Sequence, residues 1–187
     1  MNKAFVIMCA AFAFAFFVGC SGDKSRKGNT AVDLAEVETS QDSTVYGICG
    51  DATSMSVLQL ITDKGDTLSV ILEGADTCSN VQGGLLAGDR LAVVINKETD
   101  GEFFAKSVLN ITSLMGRWTS LDRSFIIEDG GVVTGDESEP NPYTEWKISN
   151  GRLVLSSDTF SVFALGPDSL LLENDKGIYA YKRVVNK

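Results

Sequence analysis

The amino-acid sequence predicts an all-β protein. Beyond residue 44 the chain is a series of short runs rich in valine, isoleucine, leucine, phenylalanine and tyrosine, which glycine, aspartate and asparagine interrupt. Apolar residues do not recur at the helical period over any length, so long amphipathic helices are not expected. The sharpest hairpin signal is Asn150-Gly151 between two alternating runs, because both residues tolerate positive φ.

The first β region has five predicted strands, joined twice by short turns at residues 63–66 and 98–101. A long connection lies between the third and fourth strands, and it ends in Gly88-Asp89 before the fourth strand begins. This layout resembles the OB-fold, a five-stranded barrel, and the resemblance implies an OB-like domain over residues 44–112. The strands are expected at residues 44–50, 55–62, 67–72, 90–96 and 103–111.

The second β region follows at once and consists of about eight short strands separated by turn sequences. Hairpin after hairpin is typical of an up-and-down meander, and eight strands can close into a small barrel over residues 113–187. The strands are expected at residues 117–121, 124–128, 132–134, 143–149, 152–156, 160–165, 169–173 and 178–184. Alternation places six residues on the inner faces, where core packing is favoured over lining of a ligand pocket: Trp146, Ile148, Leu153, Leu155, Leu170 and Leu172.

The motif Gly116-Arg117-Trp118 on the first of these strands, with Arg183 near the end of the last, resembles the lipocalin pattern. The strand sequence Trp146-Lys147-Ile148 makes it more similar to the short lipocalin-like domains of bacterial envelope lipoproteins. The resemblance implies that Trp118 closes one end of the barrel. It also implies that Arg183 packs across the indole as a cation-π pair, with the guanidinium within about 6 Å of the ring.

The amino terminus carries an uncharged apolar run over residues 4–18, which has the length of a secretory signal peptide. The stretch Phe17-Val18-Gly19-Cys20 resembles the lipobox of bacterial lipoproteins. The resemblance implies a signal peptide at residues 1–19, lipidation of Cys20 and a lipidated flexible tether at residues 20–43. A plain secretory signal or an uncleaved anchor helix is the alternative. The residues after Cys20 include no acidic run of the kind that directs some Gram-negative lipoproteins to the cell surface, so the prediction is an outer-membrane protein that faces the periplasm.

Composition excludes several classes of function. The net charge of −9 disfavours nucleic acid, whose binding depends on cations that neutralise phosphates. The absence of histidine removes the commonest general base and metal ligand, so no catalytic residue, cofactor or metal site is predicted. The acidic residues Asp136, Glu137 and Glu139 are interpreted as a solvated loop. Cys49 and Cys78 would form a disulfide or remain two buried thiols, and the sequence does not favour either.

These observations predict a non-catalytic ligand-binding or protein-interaction module, held at the membrane by its lipid anchor. A small apolar ligand or an envelope protein would be its partner. The alternative is a histidine-independent hydrolase or isomerase of the cell envelope that uses carboxylates, for which Glu128 and Asp129 are the nearest pair. Because only residues 112–115 separate the two barrels, we expect one rigid unit in which the adjoining strands pack side by side.

Overall fold

A computed structural model describes residues 42–72, 80–97, 100–135 and 140–185. These residues form two β-sheets that belong to one compact unit, and the all-β prediction is confirmed. Within the described residues, no helix has the length and apolar character needed to cross a membrane. The predicted signal peptide, the lipidation site Cys20 and all but the last two residues of the predicted tether lie outside the described residues, so these stay predictions.

The first sheet has six strands in the order β3-β2-β1-β5-β6-β4. The strands are β1 (Thr44–Cys49), β2 (Val57–Thr62), β3 (Thr67–Ile71), β4 (Val81–Gln82), β5 (Arg90–Lys97) and β6 (Phe103–Asn110). A parallel pairing of β3 with β6 closes the five long strands into a ring, here called the first barrel. The two-residue strand β4 lies in the long connection, where the sequence predicts no strand; it is held by parallel pairing with β6.

The core of the first barrel follows the two-residue alternation of its strands. In β2, for example, Leu58, Leu60 and Thr62 are buried while the residues between them are partly or fully exposed. Strand alternation therefore decides which side chains enter the barrel, as expected for strands with one buried face. The buried apolar residues are Cys49, Leu58, Leu60, Val70, Leu91, Val93, Ala105 and Val108.

The second sheet has eight antiparallel strands, and it forms a nearly closed barrel, here called the second barrel. A short helix α1 (Ile111–Leu114) precedes it. Its strands are β7 (Gly116–Thr119), β8 (Ser124–Ile127), β9 (Val133–Gly135), β10 (Trp146–Ser149), β11 (Arg152–Leu155), β12 (Asp158–Leu165), β13 (Ser169–Asn174) and β14 (Gly177–Arg183). Each strand pairs with the next in sequence except β9 with β10, and β14 pairs back with β7. No ladder joins the two sides of the remaining gap among the described residues; it is crossed by an isolated bridge between Val132 and Glu145 and by a hydrogen bond from Val133 N to Thr144 O at 3.0 Å.

The Asn150-Gly151 hairpin forms as predicted. Asn150 has φ of 50° and Gly151 has φ of 74°, and the flanking residues Ser149 and Arg152 pair across the turn. Of the six residues assigned to inner faces, Ile148, Leu153, Leu155, Leu170 and Leu172 are buried. Trp146 is only partly buried; it packs against this core, and its indole Nε1 donates to the Glu128 carbonyl across the gap between β9 and β10.

The prediction that the strands adjoining residues 112–115 pack side by side is wrong. The intervening residues form α1, and β6 and β7 belong to different sheets. The physical reason is a cap: the Asn110 side chain accepts a hydrogen bond from Ser113 N, which stabilises a helical turn that redirects the chain. The Asn110 Nδ2 atom also donates to Gly84 O at 3.0 Å, so one buried side chain joins α1 to the connection that follows β4.

The two barrels are in direct contact. The Tyr46 hydroxyl of β1 donates to Ile148 O at 2.9 Å, and Gly83 N donates to Leu165 O at 3.1 Å. The Gln82 side chain accepts a hydrogen bond from Leu165 N. The end of the second barrel nearest these contacts is called the proximal end; it comprises α1, the start of β7 and the β10–β11 and β12–β13 turns. Because the strands run up and down, the β7–β8, β11–β12 and β13–β14 turns lie at the opposite, distal end.

Candidate functional site

Trp118 and Arg183 meet at the proximal end. They are directly paired residues of β7 and β14. The Arg183 guanidinium carbon lies 4.2 Å from the centre of the Trp118 ring, inside the distance of about 6 Å expected from the sequence. Trp118 is fully buried, and its Nε1 donates to Leu114 O at 2.8 Å, so the indole leaves no polar atom unsatisfied.

The Arg183 guanidinium is held by three main-chain carbonyls on two segments of the chain. Its Nε donates to Pro167 O at 2.5 Å, its Nη1 donates to Met115 O at 2.8 Å, and its Nη2 donates to Ser113 O. The planar guanidinium thus joins the end of α1 and the residue after it to the β12–β13 turn, around the indole. Burial lowers the pKa of Arg183 from its usual value, and nearby Asp168 opposes that effect. This arrangement closes the barrel and offers little access to a ligand.

Gly116 is required by the same cluster. Its φ of 132° is unfavourable for any residue with a side chain, and a Cβ atom there would lie 2.6 Å from Arg183 Nη1. The glycine of the Gly-x-Trp motif therefore makes room for the arginine that stacks on the tryptophan two residues later. The sequence motif and the terminal arginine form one structural unit.

A cleft of about 530 Å³ lies at the distal end and is called the distal cleft. The β7–β8 turn at residues 120–123 forms one wall, and β14 with the turn before it forms the other. Tyr143, Asp158 and Phe160 complete the lining. The cleft is open to solvent on the rim, where Leu121 is fully exposed and Ile178 is 57% exposed.

Aromatic rings form the floor of the distal cleft. Phe125 packs edge-on against Tyr143 and Tyr181, with ring centroids 5.5 and 5.0 Å apart, and Phe160 packs edge-on against Tyr179 at 5.7 Å. The three contacts are of the T-shaped kind that aromatic quadrupoles favour. Since Phe125 and Phe160 are buried in the barrel core, the floor of the cleft is fixed by the same packing that stabilises the fold.

Charged groups line the walls above this floor. The Arg123 guanidinium carbon lies 4.4 Å from the centre of the Tyr143 ring. Burial raises the pKa of Tyr143, and the positive charge of Arg123 opposes that effect. Lys176 Nζ lies 3.9 Å from Asp158 Oδ1, with both side chains well exposed, so this ion pair contributes little to stability. The cleft therefore combines apolar surface with both signs of charge.

The carboxylates named from the sequence lie elsewhere, outside the distal cleft. Glu128 accepts a hydrogen bond from Thr134 Oγ1 at 3.0 Å, and Asp129 accepts one from Gly130 N at 2.8 Å. Both residues are exposed and take part in the turn between β8 and β9. The acidic residues 136–139 lie outside the described residues. No group of carboxylate or cysteine side chains in the described part of the chain is arranged to hold a metal ion.

Cys49 is buried at the end of β1, as a free thiol among the described residues. Its Sγ lies 3.3 Å from Thr53 Oγ1. Cys78 lies outside the described residues, so the pairing of these two cysteines stays a prediction.

Sequence reasoning did not identify the distal cleft. Its aromatic residues come from β12, β14 and the segment before β10. In the sequence, the pattern around each of them indicates a β-strand and gives no sign that they share a cleft. The one local signal is the turn Ser120-Leu121-Asp122-Arg123, in which an exposed leucine precedes two charged residues.

No protein-family model, curated protein or solved structure matches the chain.

Proposed function

We propose that this chain is a lipid-anchored, non-catalytic binding module of the Gram-negative cell envelope. It is attached to the outer membrane through Cys20, faces the periplasm and binds its partner in the distal cleft. The anchor is supported by the Phe17-Val18-Gly19-Cys20 stretch and the apolar run before it. Binding of an envelope protein or a small apolar ligand is supported by the geometry of the distal end.

The observation that carries the proposal is the difference between the barrel interior and its distal rim. Inside the barrel, Leu170, Leu172 and Phe160 are buried, and side chains fill the space that a small barrel encloses. At the rim, by contrast, an open cleft has a rigid aromatic floor and an exposed apolar edge. A concave, largely preformed surface with a few polar groups is the usual form of a binding site.

The charged groups of the cleft suit recognition. Arg123 stacks on Tyr143, and Lys176 pairs with Asp158, so each cation already has a neighbour within the cleft. Paired, partly solvated charges of this kind contribute orientation and specificity to a partner more than affinity.

The anchor is tested by fractionation of cells that express the full chain. Cys20→Ala should move the protein from the membrane to the soluble or precursor fraction, because the lipid-accepting thiol is lost. Cys9→Ala is the matched control, since Cys9 lies within the predicted signal peptide and should leave the membrane fraction unchanged. A Cys20→Ala protein that remained as tightly bound as the control would instead indicate an uncleaved anchor helix.

The cleft is tested by identifying what co-purifies with the full chain from membranes, by mass spectrometry of both small molecules and cross-linked proteins. Ala180→Trp should displace the bound species, because it adds bulk to a residue that lines the cleft. Ser161→Trp is the matched control on an exposed position of β12 outside the lining. A species that both variants retain equally would place binding outside the distal cleft.

A further inference from the structure

Strand β14 extends beyond the strand with which it closes the barrel. On the β13 side it is paired along its whole length, from Gly177 opposite Asn174 to Lys182 opposite Ser169. On the β7 side only Lys182 and Arg183 have partners. In the described part of the chain, residues 177–180 therefore have no strand neighbour on that side.

The direction of the main-chain groups follows from the hydrogen bonds of the last two residues. Arg183 N donates to Asp168 O, on the β13 side, and Val184 N donates to Arg117 O, on the β7 side. Because these directions alternate along an antiparallel strand, the even-numbered residues of β14 point their N–H and C=O groups away from β13. Ile178 and Ala180, which are both exposed residues, thus direct two donors and two acceptors to the open side.

That open side is the distal cleft. Its opposite wall is the β7–β8 turn, and Tyr179 and Tyr181 of β14 also line the cleft. An unpaired strand edge is a template for another strand, and proteins that leave one exposed usually protect it with charge or proline. Here lysines stand near both ends of the edge, at Lys176 and Lys182, but Ile178 and Ala180 occupy its middle.

We propose that the edge of β14 binds an extended peptide segment of a partner protein by β-strand addition. The segment carries apolar residues at alternate positions, so that the side chains on one face enter the tyrosine-lined cleft while its main chain pairs with Ile178 and Ala180. This inference rests on the proposed function, because it names the chemistry of the partner that the distal cleft binds.

A single segment fits this edge better than a second copy of the chain. The β7–β8 turn stands across the cleft, so a lone strand can enter while a second barrel would bring its own turn into the same space. The net charge of −9 also opposes self-association and favours a neutral or basic segment.

The first experiment selects peptides from a phage-displayed library of random dodecapeptides, using the full chain in detergent micelles. The enriched peptide is synthesised with single N-methyl groups along its length. N-methylation at alternate residues should weaken binding about tenfold, because it removes a main-chain donor and clashes at the edge, and the residues between should tolerate it. Equal tolerance at every residue would overturn strand addition while leaving peptide binding at the cleft intact.

The matched variants are Ala180→Pro and Ala180→Val. Proline removes the N–H that faces the cleft without removing a bond to β13, and edge positions tolerate proline for this reason. We expect Ala180→Pro to weaken peptide binding about tenfold and Ala180→Val, which keeps the donor, to retain it. Amide exchange at Tyr179 and Tyr181 verifies that the proline variant keeps its pairing with β13.

Amide hydrogen exchange in the unmodified chain supplies the second readout. The amides of Ile178 and Ala180 should exchange rapidly alone and slow at least about tenfold with saturating peptide, while those of Tyr179 and Tyr181 are protected throughout.

Failure to enrich any peptide would overturn this inference, whereas the co-purification experiment tests the binding function independently. Protection of the two amides in a dimer without peptide would identify a second copy as the occupant and would also overturn it.

Discussion

The two ends of the second barrel each place an arginine over an aromatic ring, and they differ in what surrounds the arginine. At the proximal end Arg183 lies 4.2 Å from the Trp118 ring centre, and at the distal end Arg123 lies 4.4 Å from that of Tyr143. The proximal guanidinium donates to three main-chain carbonyls on two segments of the chain, residues 113–115 and Pro167. The distal guanidinium stands in an open cleft.

This comparison shows that a stacked arginine does not by itself define a role. At the proximal end the guanidinium donates hydrogen bonds to main-chain carbonyls, so the stacked Arg183 and Trp118 join separate parts of the chain and contribute stability. The Arg123 guanidinium instead lines an accessible cleft whose lining also includes Asp122 and Asp158, so the same stacking occurs at a surface that solvent reaches. Substitutions at the two ends distinguish a proximal end that stabilises the fold from a distal end that binds a partner.

The largest expected effect is that of Trp118→Ala. Truncation of this fully buried indole should lower the free energy of unfolding by about 3–5 kcal/mol, because it leaves a cavity and removes the surface on which Arg183 packs. Urea denaturation of the full chain measures the change. Trp146→Ala, at a partly buried tryptophan, is the control and should cost less than half as much; equal losses would contradict a special role for the proximal end.

Arg183→Ala and Arg123→Ala compare the two arginines directly. We expect a loss of about 2–4 kcal/mol for Arg183→Ala, because three carbonyls lose a charged donor, and less than about 1 kcal/mol for Arg123→Ala. Arg183→Lys should recover little of the loss, since a lysine cannot reproduce the planar set of donors. A similar cost at both positions, in the same denaturation assay, would show that the distal pair is structural as well.

Gly116→Ala separates steric contact from backbone strain. The new Cβ would lie 2.6 Å from Arg183 Nη1, so the cost should be about 2–3 kcal/mol. Gly177→Ala is a close control, because Gly177 has a similar φ of 143° and no atom within 4 Å of the added Cβ; backbone strain alone should cost about 1–2 kcal/mol there. Indistinguishable thermal shifts would mean that Arg183 moves aside without penalty.

The smallest effect concerns Tyr143 at high pH. Burial raises its pKa above the ordinary value of 10.0, so the folded chain retains the phenolic proton after the unfolded chain has lost it. The stability that this tyrosine contributes is therefore complete below pH 10 and falls as the pH rises through the folded pKa. Tyr143→Phe should reduce the loss of unfolding free energy between pH 9 and pH 11.

A spectroscopic titration sharpens the same point. Arg123→Ala should raise the pKa of Tyr143 further, because the positive charge of Arg123 lowers it in the unmodified chain. Difference absorbance of the phenolate, with Tyr143→Phe as the reference, measures the shift. A decrease of the pKa in the Arg123→Ala chain would contradict the electrostatic coupling of the two residues.

Local sequence patterns determined the elements of both barrels. Alternating apolar residues and turn residues such as Asn150-Gly151 act between neighbours in the chain, so strand positions were predictable to within a few residues. The contact between Trp118 and Arg183 was also predicted, from the resemblance that the Gly-x-Trp motif and the arginine carry. The start of β10 was predicted three residues too early, because residues 143–145 are held by an isolated bridge and single backbone hydrogen bonds and form no ladder.

The amino-acid sequence by itself thus determined the all-β class, most strand positions and the residues of the proximal cluster. Only the tertiary structure decided where the second barrel closes and where it stays open. Pairing of β14 with β7 joins residues more than sixty positions apart, and nothing local marks that β7 ends before it covers Ile178 and Ala180. The distal cleft results from that difference in strand length, and such a long-range relation has no signature in the order of neighbouring residues.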